Sequence, residues 1–303
     1  MTIVSPKDTA FPGTPDFTRE PDRFGEIGCR SDHGPHRMVY ADWGPLDAET
    51  VVVCVHGLTR QGRDFDPVAA ALADEGVRVI CPDLPGRGRS EPLPNILDDN
   101  LAQYRDDLLR LLAELGDRPV HWIGTSLGGL LGIMLAGSGA PISRLVVNDI
   151  GPEVPTAAST RVIFKLVQAP TSFASFAAAE TFFRTKFAAY GELSDAHWRH
   201  ITRHSTSEQP NGRYRWLFDP RIGFGFHMAR SPRLDLWAEW RSIATPILIL
   251  RGVQSEFLSA GLAREMLDTN RGARLHEVEG VGHMPMLATA TEIRTILDFL
   301  LRP

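Results

Sequence analysis

Val120-His-Trp-Ile-Gly-Thr-Ser-Leu-Gly-Gly-Leu130 holds an apolar run, Val120 to Ile123, that breaks at Gly124-Thr125-Ser126-Leu127-Gly128 and gives way to a small-residue helical pattern through Leu131 and Leu135. The order is strand, sharp turn, helix. A serine on such a turn has its side chain pushed clear of the backbone path, and flanking glycines remove the Cβ atoms that would clash in so tight a bend. The N–H of Leu127 falls at the start of the helix, where unpaired N–H groups and the positive dipole end favour an oxyanion. Ser126 is therefore a candidate nucleophile with half an oxyanion hole attached. The pentapeptide alone turns up by chance in roughly one chain in ten of this length. Its weight comes from the strand before it, the helix after it and the partners found elsewhere.

Outward from this stretch the same alternation repeats. Val51-Val-Val-Cys-Val55 is a continuous β-branched run, as expected of a strand buried on both faces, and it ends in His56-Gly57-Leu58-Thr59. Helical spacing from Asp64 to Glu75, a strand from Val77 to Cys81 and the loop Asp83-Leu-Pro-Gly-Arg-Gly-Arg-Ser90 follow. Leu101 to Leu115 reads as an amphipathic helix, with Leu108, Leu111, Leu112 and Leu115 on one face and Arg105, Asp106 and Arg110 off it. Arg144 to Asn148 gives one more strand, ending at Asp149-Ile-Gly-Pro152. Upstream, Gly25 to Arg30 and Arg37 to Trp43 flank the turn-rich Ser31-Asp32-His33-Gly34-Pro35, the pattern of an antiparallel hairpin at a sheet edge.

The alternation stops at Pro152. Residues 152–241 show helical stretches rich in Ala, Phe and Trp and no buried strand of the earlier kind; strands resume at Pro246-Ile-Leu-Ile-Leu-Arg-Gly252 and Arg274 to Val278, before a closing helix Ala290 to Leu301. Repeated βα units imply an α/β fold with a doubly wound, mostly parallel sheet and right-handed crossovers. The expected organisation is an N-terminal extension over 1–23, a core formed by 24–151 and 242–303, and an inserted helical cap over 152–241. In such sheets ligands bind outside the carboxyl ends of the strands.

Composition narrows the function classes. The 303 residues are 43% hydrophobic and 23% charged, which suits a globular chain with a full core. A formal net charge of -5 supplies no basic field, which argues against nucleic acid or an anionic membrane surface as partner. Cys29, Cys54 and Cys81 are too few and scattered for a disulfide framework or a metal site and read as buried free thiols. Met1 to Glu20 has neither a basic nor an apolar signal region, and no apolar run approaches a membrane span, so the expected location is cytoplasmic.

A serine hydroxyl is a weak nucleophile until a base takes its proton, and the base needs an acid to orient it. His283 stands apart among the ten histidines: it follows the last strand in the Gly-flanked loop Gly280-Val-Gly-His-Met-Pro285. His56, just before Gly57, is assigned to shaping its loop, and the N–H of Leu58 is placed to be the second oxyanion donor beside that of Leu127. Asp83, Gly86 and Gly88 form a tight loop, with Arg87 and Arg89 expected to be solvated, since no P-loop spacing is present. Phe164, Phe173, Phe176, Phe182 and Phe183 read as cap core, whereas Phe224, Phe226 and Trp237 are candidates for lining a substrate pocket.

The segments His56-Gly57-Leu58-Thr59, Asp83 to Ser90, Gly124 to Gly128, Asn148-Asp-Ile-Gly-Pro152, Arg251-Gly-Val-Gln-Ser-Glu256 and Gly282-His283, in this order, make the chain from about residue 24 onward resemble an α/β-hydrolase fold protein of the cap-bearing kind that cleaves esters or C–C bonds. Haloalkane dehalogenases and epoxide hydrolases share that scaffold but carry Asp where this chain has Ser126. The resemblance implies an acid after the strand Pro246 to Leu250, usually Asp, where this chain offers Ser255-Glu256; some members place it one strand earlier, here Asp149. Glu256 is the first candidate and Asp149 the alternative. The expectation is a serine hydrolase that forms an acyl-enzyme at Ser126, uses neither metal nor cofactor, and acts on a small carboxylic ester or lactone. The alternatives are a C–C hydrolase of the meta-cleavage type and a ligand-binding protein that has kept the fold.

Overall fold

The computed structural model describes residues 17–222 and 234–302. Strands β1 (Arg23–Ser31), β2 (Gly34–Trp43), β3 (Val51–Val55), β4 (Arg78–Pro82), β5 (Val120–Thr125), β6 (Ile142–Asn148), β10 (Ile247–Gly252) and β11 (Ala273–Val278) form one sheet in the order β1-β2-β4-β3-β5-β6-β10-β11, while β7 (Ser172–Phe173), β8 (Thr206–Glu208) and β9 (Tyr214–Trp216) form a second. From β4 to β11 neighbouring strands of the large sheet are parallel. The β1–β2 hairpin closes one edge in antiparallel pairing, with Ser31 opposite Gly34.

The period-two geometry of a strand explains how one run of valines serves two layers. Val51, Val53 and Val55 of β3 join a core that includes Leu108, Leu111 and Leu112 of the helix Leu101–Glu114 and Leu131 and Ile133 of the helix Leu127–Gly137. Val52 and Cys54 point the other way, into a core with Val68 and Leu72 of the helix Asp66–Asp74 and Ile293, Ile296 and Leu300 of the helix Ala290–Leu301. The sheet is thus covered on both faces, as the continuous apolar strands require. All three cysteines are buried free thiols.

Between β6 and β10 lie, among the described residues, the helices Thr156–Val167, Phe176–Lys186, Asp195–Ser205 and Trp237–Ser242, and a small sheet stands beside the helices expected of this insertion. The small sheet β7-β9-β8 is antiparallel and its strands are only two or three residues long, too short to show a periodicity in sequence. Phe173, Phe183, Phe187, Trp198, Trp216 and Phe218 make a core of their own that also takes in Met284 and Met286, next to His283. Phe164 does not belong to it, being 64% exposed. Trp237, a candidate for lining a pocket, is buried and packs with Trp240 in the main core, its indole N–H donating to Glu153 Oε2 at 3.4 Å. The layer over the sheet therefore resumes with Trp237–Ser242, ahead of residue 242. Phe224 and Phe226 lie outside the described residues.

Candidate active site

β5 delivers Ser126 at a backbone turn of φ 51° and ψ -112°, a conformation that L-residues visit at a cost and that persists where surrounding structure enforces it. That enforcement is visible. The Ser126 N–H donates to Asn148 O at 2.9 Å, and Ser126 O accepts from Gly129 and Leu130 N–H at 2.8 and 3.0 Å. A Cβ on Gly128 would collide with the Val55 carbonyl, and one on Gly124 with the Gly128 carbonyl, so both glycines are demanded by close backbone approach. The helix Leu127–Gly137 starts immediately after the serine and aims its N-terminus there.

Three strand ends converge on this serine. His283, in the loop after β11, has Nε2 at 2.9 Å from Ser126 Oγ and Nδ1 at 2.7 Å from Asp149 Oδ2. A carboxylate only accepts, so Nδ1 carries the proton and Nε2 is the lone-pair nitrogen facing the hydroxyl. The Phe257 ring stacks on the imidazole with centroids 4.1 Å apart, which fixes the ring plane. Asp149 is fully buried at a φ of 58° after β6, and its carboxylate takes three donors: His283 Nδ1, Gly252 N–H at 2.9 Å and Ser255 Oγ–H at 2.7 Å.

The carboxylate on His283 is therefore that of Asp149 and not that of Glu256. Glu256 points outward, its side chain 71% exposed and paired with Arg161 at 2.7 Å. The loop after β10 still reaches Asp149, through Ser255, whose hydroxyl also accepts the N–H groups of Phe257 and Leu258 at 3.1 Å. Sequence reasoning missed this role of Ser255. The available signal was its position directly before Glu256, where the resemblance looks for an acid.

The loop after β3 packs against Ser126: a Cβ on Gly57 would lie 3.5 Å from Ser126 Cβ. His56 shapes this loop as expected. Its Nδ1–H donates to Gly57 O at 2.7 Å and its Nε2 accepts from Leu84 N–H at 2.9 Å. Burial pushes its pKa down to about 3, so it is neutral at neutral pH. Asp83 accepts Gly62 and Arg89 N–H at 2.7 and 2.8 Å, which holds its loop, while burial pushes its carboxyl up to about 6. Arg89 is exposed, as expected. Arg87 is not: it is buried, with Nε donating to Leu58 O at 3.0 Å and Nη1 to Pro85 O and Tyr104 Oη at 2.6 Å. The insertion covers it, for Gly88 N–H donates to Leu217 O and Asp219 N–H to Gly86 O.

Among the described residues, two groups elsewhere bring metal-ligating atoms within 4.8 Å of one another, Cys29 with His36 and Asp107, and Asp66 with His200 and His204. Both are committed to internal bonds. His36 Nε2 meets Asp107 at 2.9 Å, and Asp66 receives Arg63 Nε at 2.7 Å. Burial pushes the Cys29 thiol up to about 12, which keeps it protonated and a poor ligand.

Against known proteins, the model of the alpha/beta hydrolase family matches residues 52–294. A 3-hydroxybutyrate-oligomer hydrolase of Cupriavidus necator is 35% identical over 286 residues, spanning 91% of this chain and 97% of that enzyme. Among solved structures, an alpha/beta hydrolase from Novosphingobium aromaticivorans superposes with a TM-score of 0.82 at 30% identity, covering 92% of this chain and 99% of its own. A protein from Rickettsia typhi reaches a TM-score of 0.85 at 27% identity over 93% of this chain and 99% of its own.

Proposed function

The chain belongs to the alpha/beta hydrolase family, and from that premise we propose that it cleaves a carboxylic ester through an acyl-enzyme formed at Ser126. One observation carries the proposal: the continuous relay Ser126 Oγ to His283 Nε2 at 2.9 Å and His283 Nδ1 to Asp149 at 2.7 Å. Ser126 Oγ attacks the ester carbonyl while His283 Nε2 takes its proton. Asp149 stabilises the imidazolium, and the N–H groups of Leu127 and Leu58 receive the oxyanion. Collapse expels the alcohol, protonated by His283, and a water activated by the same imidazole releases the acid. Every step uses a group of this chain.

For the substrate, the 35% identity over most of both chains to a 3-hydroxybutyrate-oligomer hydrolase supports a short oligoester of a 3-hydroxy acid. The insertion would close over the site, a role supported by its core reaching Met284 and Met286 and by the Gly282 N–H donating to Ala189 O at 2.8 Å. Incubation with 3-hydroxybutyrate dimer and trimer, p-nitrophenyl esters of increasing acyl length and one dienone C–C substrate tests both levels. Turnover of the oligoesters with kcat/KM at or above the best p-nitrophenyl ester is expected. Preference for the C–C substrate would replace the ester reading, and no turnover of any of them would leave a binding protein on a hydrolase fold.

A further inference from the structure

Arg87 is a buried cation in a loop that carries no chemistry of its own. Its guanidinium spans three backbone and side-chain acceptors: Leu58 O at 3.0 Å, and Pro85 O and Tyr104 Oη at 2.6 Å. Behind it, Asp99 Oδ1 lies 3.8 Å from Nη1 and also accepts the Tyr104 hydroxyl. The rings of Tyr104 and Phe218 lie 5.0 and 6.0 Å from its centre, so aromatic faces on two sides add to the enclosure. Burial lowers its pKa only to about 10, and it stays charged at neutral pH. A buried guanidinium is expensive to keep unless it holds something.

What it holds is the oxyanion loop. The peptide joining Gly57 to Leu58 has its carbonyl tied by His56 Nδ1–H at 2.7 Å and Arg60 N–H at 3.1 Å. The next peptide has its carbonyl, that of Leu58, tied by Arg87. With both planes gripped, the backbone angles on either side of the Leu58 Cα are set, and with them the direction of the Leu58 N–H. Resting on the serine-hydrolase reading above, we propose that Arg87 is a positioning residue for the oxyanion hole, fixing the Leu58 peptide through its carbonyl while touching no substrate.

The planar fork is what the geometry needs, and Lys keeps the charge without it. Arg87→Lys is expected to lower kcat on p-nitrophenyl butyrate by about 10- to 100-fold, less than the roughly 10²–10³ for deleting a donor outright. KM should stay within about threefold, because a misaimed oxyanion donor is felt in the transition state rather than in the ground state. A butyl trifluoromethyl ketone, which forms a serine hemiketal with an oxyanion, should lose affinity by the same factor as kcat/KM. Tyr104→Phe removes one anchor of the fork and should shift kcat and ketone affinity together by about threefold to tenfold, a fraction of the oxyanion effect. A folded Arg87→Lys with wild-type kcat and ketone affinity would overturn the proposal. Losses confined to KM or Tm would overturn it equally. If Arg87→Lys does not fold, Tyr104→Phe decides, and wild-type kcat and ketone affinity there count against the proposal. The control separates this from the reading beneath it. If wild type binds no ketone and Ser126→Ala still turns over, both fall; if wild type binds it and Ser126→Ala does not, a negative result at position 87 removes the Arg87 role alone.

Discussion

Replacing Asp149 with Asn separates the two candidate acids by orders of magnitude. In the native site one carboxylate oxygen accepts Gly252 N–H and the other accepts both Ser255 Oγ–H and His283 Nδ1–H. An amide keeps one acceptor. If its oxygen stays on the Gly252 N–H, its NH2 faces His283 and donates to Nδ1. The imidazole then carries its proton on Nε2, and the nitrogen 2.9 Å from Ser126 Oγ can no longer act as a base. The analogous change in a serine protease costs about 10⁴ in kcat, which is about 5.5 kcal/mol of barrier. Glu256→Gln removes an exposed ion pair with Arg161, worth at most about 1 kcal/mol to stability and nothing to the relay. Measured as kcat on p-nitrophenyl butyrate at pH 8, Asp149→Asn should fall by about 10⁴ and Glu256→Gln should stay within about twofold. An Asp149→Asn enzyme above a tenth of wild-type kcat, or a collapse in Glu256→Gln, would refute the assignment.

Ser255→Ala removes a hydrogen bond to a charged, buried carboxylate, so it should cost about 1.5–3 kcal/mol in urea unfolding and lower kcat about tenfold without shifting KM. His56→Gln probes the depressed imidazole. The folded state holds this group neutral down to about 3 while the unfolded chain protonates near 6.5, so its contribution is complete above pH 6.5 and is lost as pH falls toward 3. The stability gap between wild type and His56→Gln should therefore narrow by about 2 kcal/mol between pH 7.5 and 5, read by urea unfolding at each pH, and a constant gap would contradict the neutral buried imidazole. Gly128→Ala drives a methyl into the Val55 carbonyl and should destabilise by about 1–3 kcal/mol or more, with a Tm unchanged from wild type as the contrary result.

The parts of the molecule that could be read from the chain are those where one residue type has one physical solution. Val51 to Val55 could only be a strand buried on both faces, and it is. Ser126 between glycines and His283 after the last strand sit at ends the topology brings together, so their meeting followed from order alone. The acid did not, because β6 and β10 are neighbours in the sheet and both end beside His283. Choosing between Asp149 and Glu256 depends on the direction each side chain leaves its turn, and the positive φ that turns Asp149 inward is a three-dimensional fact. Arg87 was misread for a similar reason. A charged residue among glycines reads as surface until residues 217–219 of the insertion are seen to pair across it.

The central claim is a covalent acyl intermediate on Ser126, and rapid-quench mass spectrometry tests it most directly. Wild type mixed with excess p-nitrophenyl butyrate should release a burst of nitrophenolate equal to the enzyme present. The tryptic peptide bearing Ser126 should gain one butyryl group within the first turnover and lose it as substrate is exhausted. Ser126→Ala should show neither burst nor adduct. Steady turnover by that variant, or a wild-type adduct mapped to any other residue, would contradict the account.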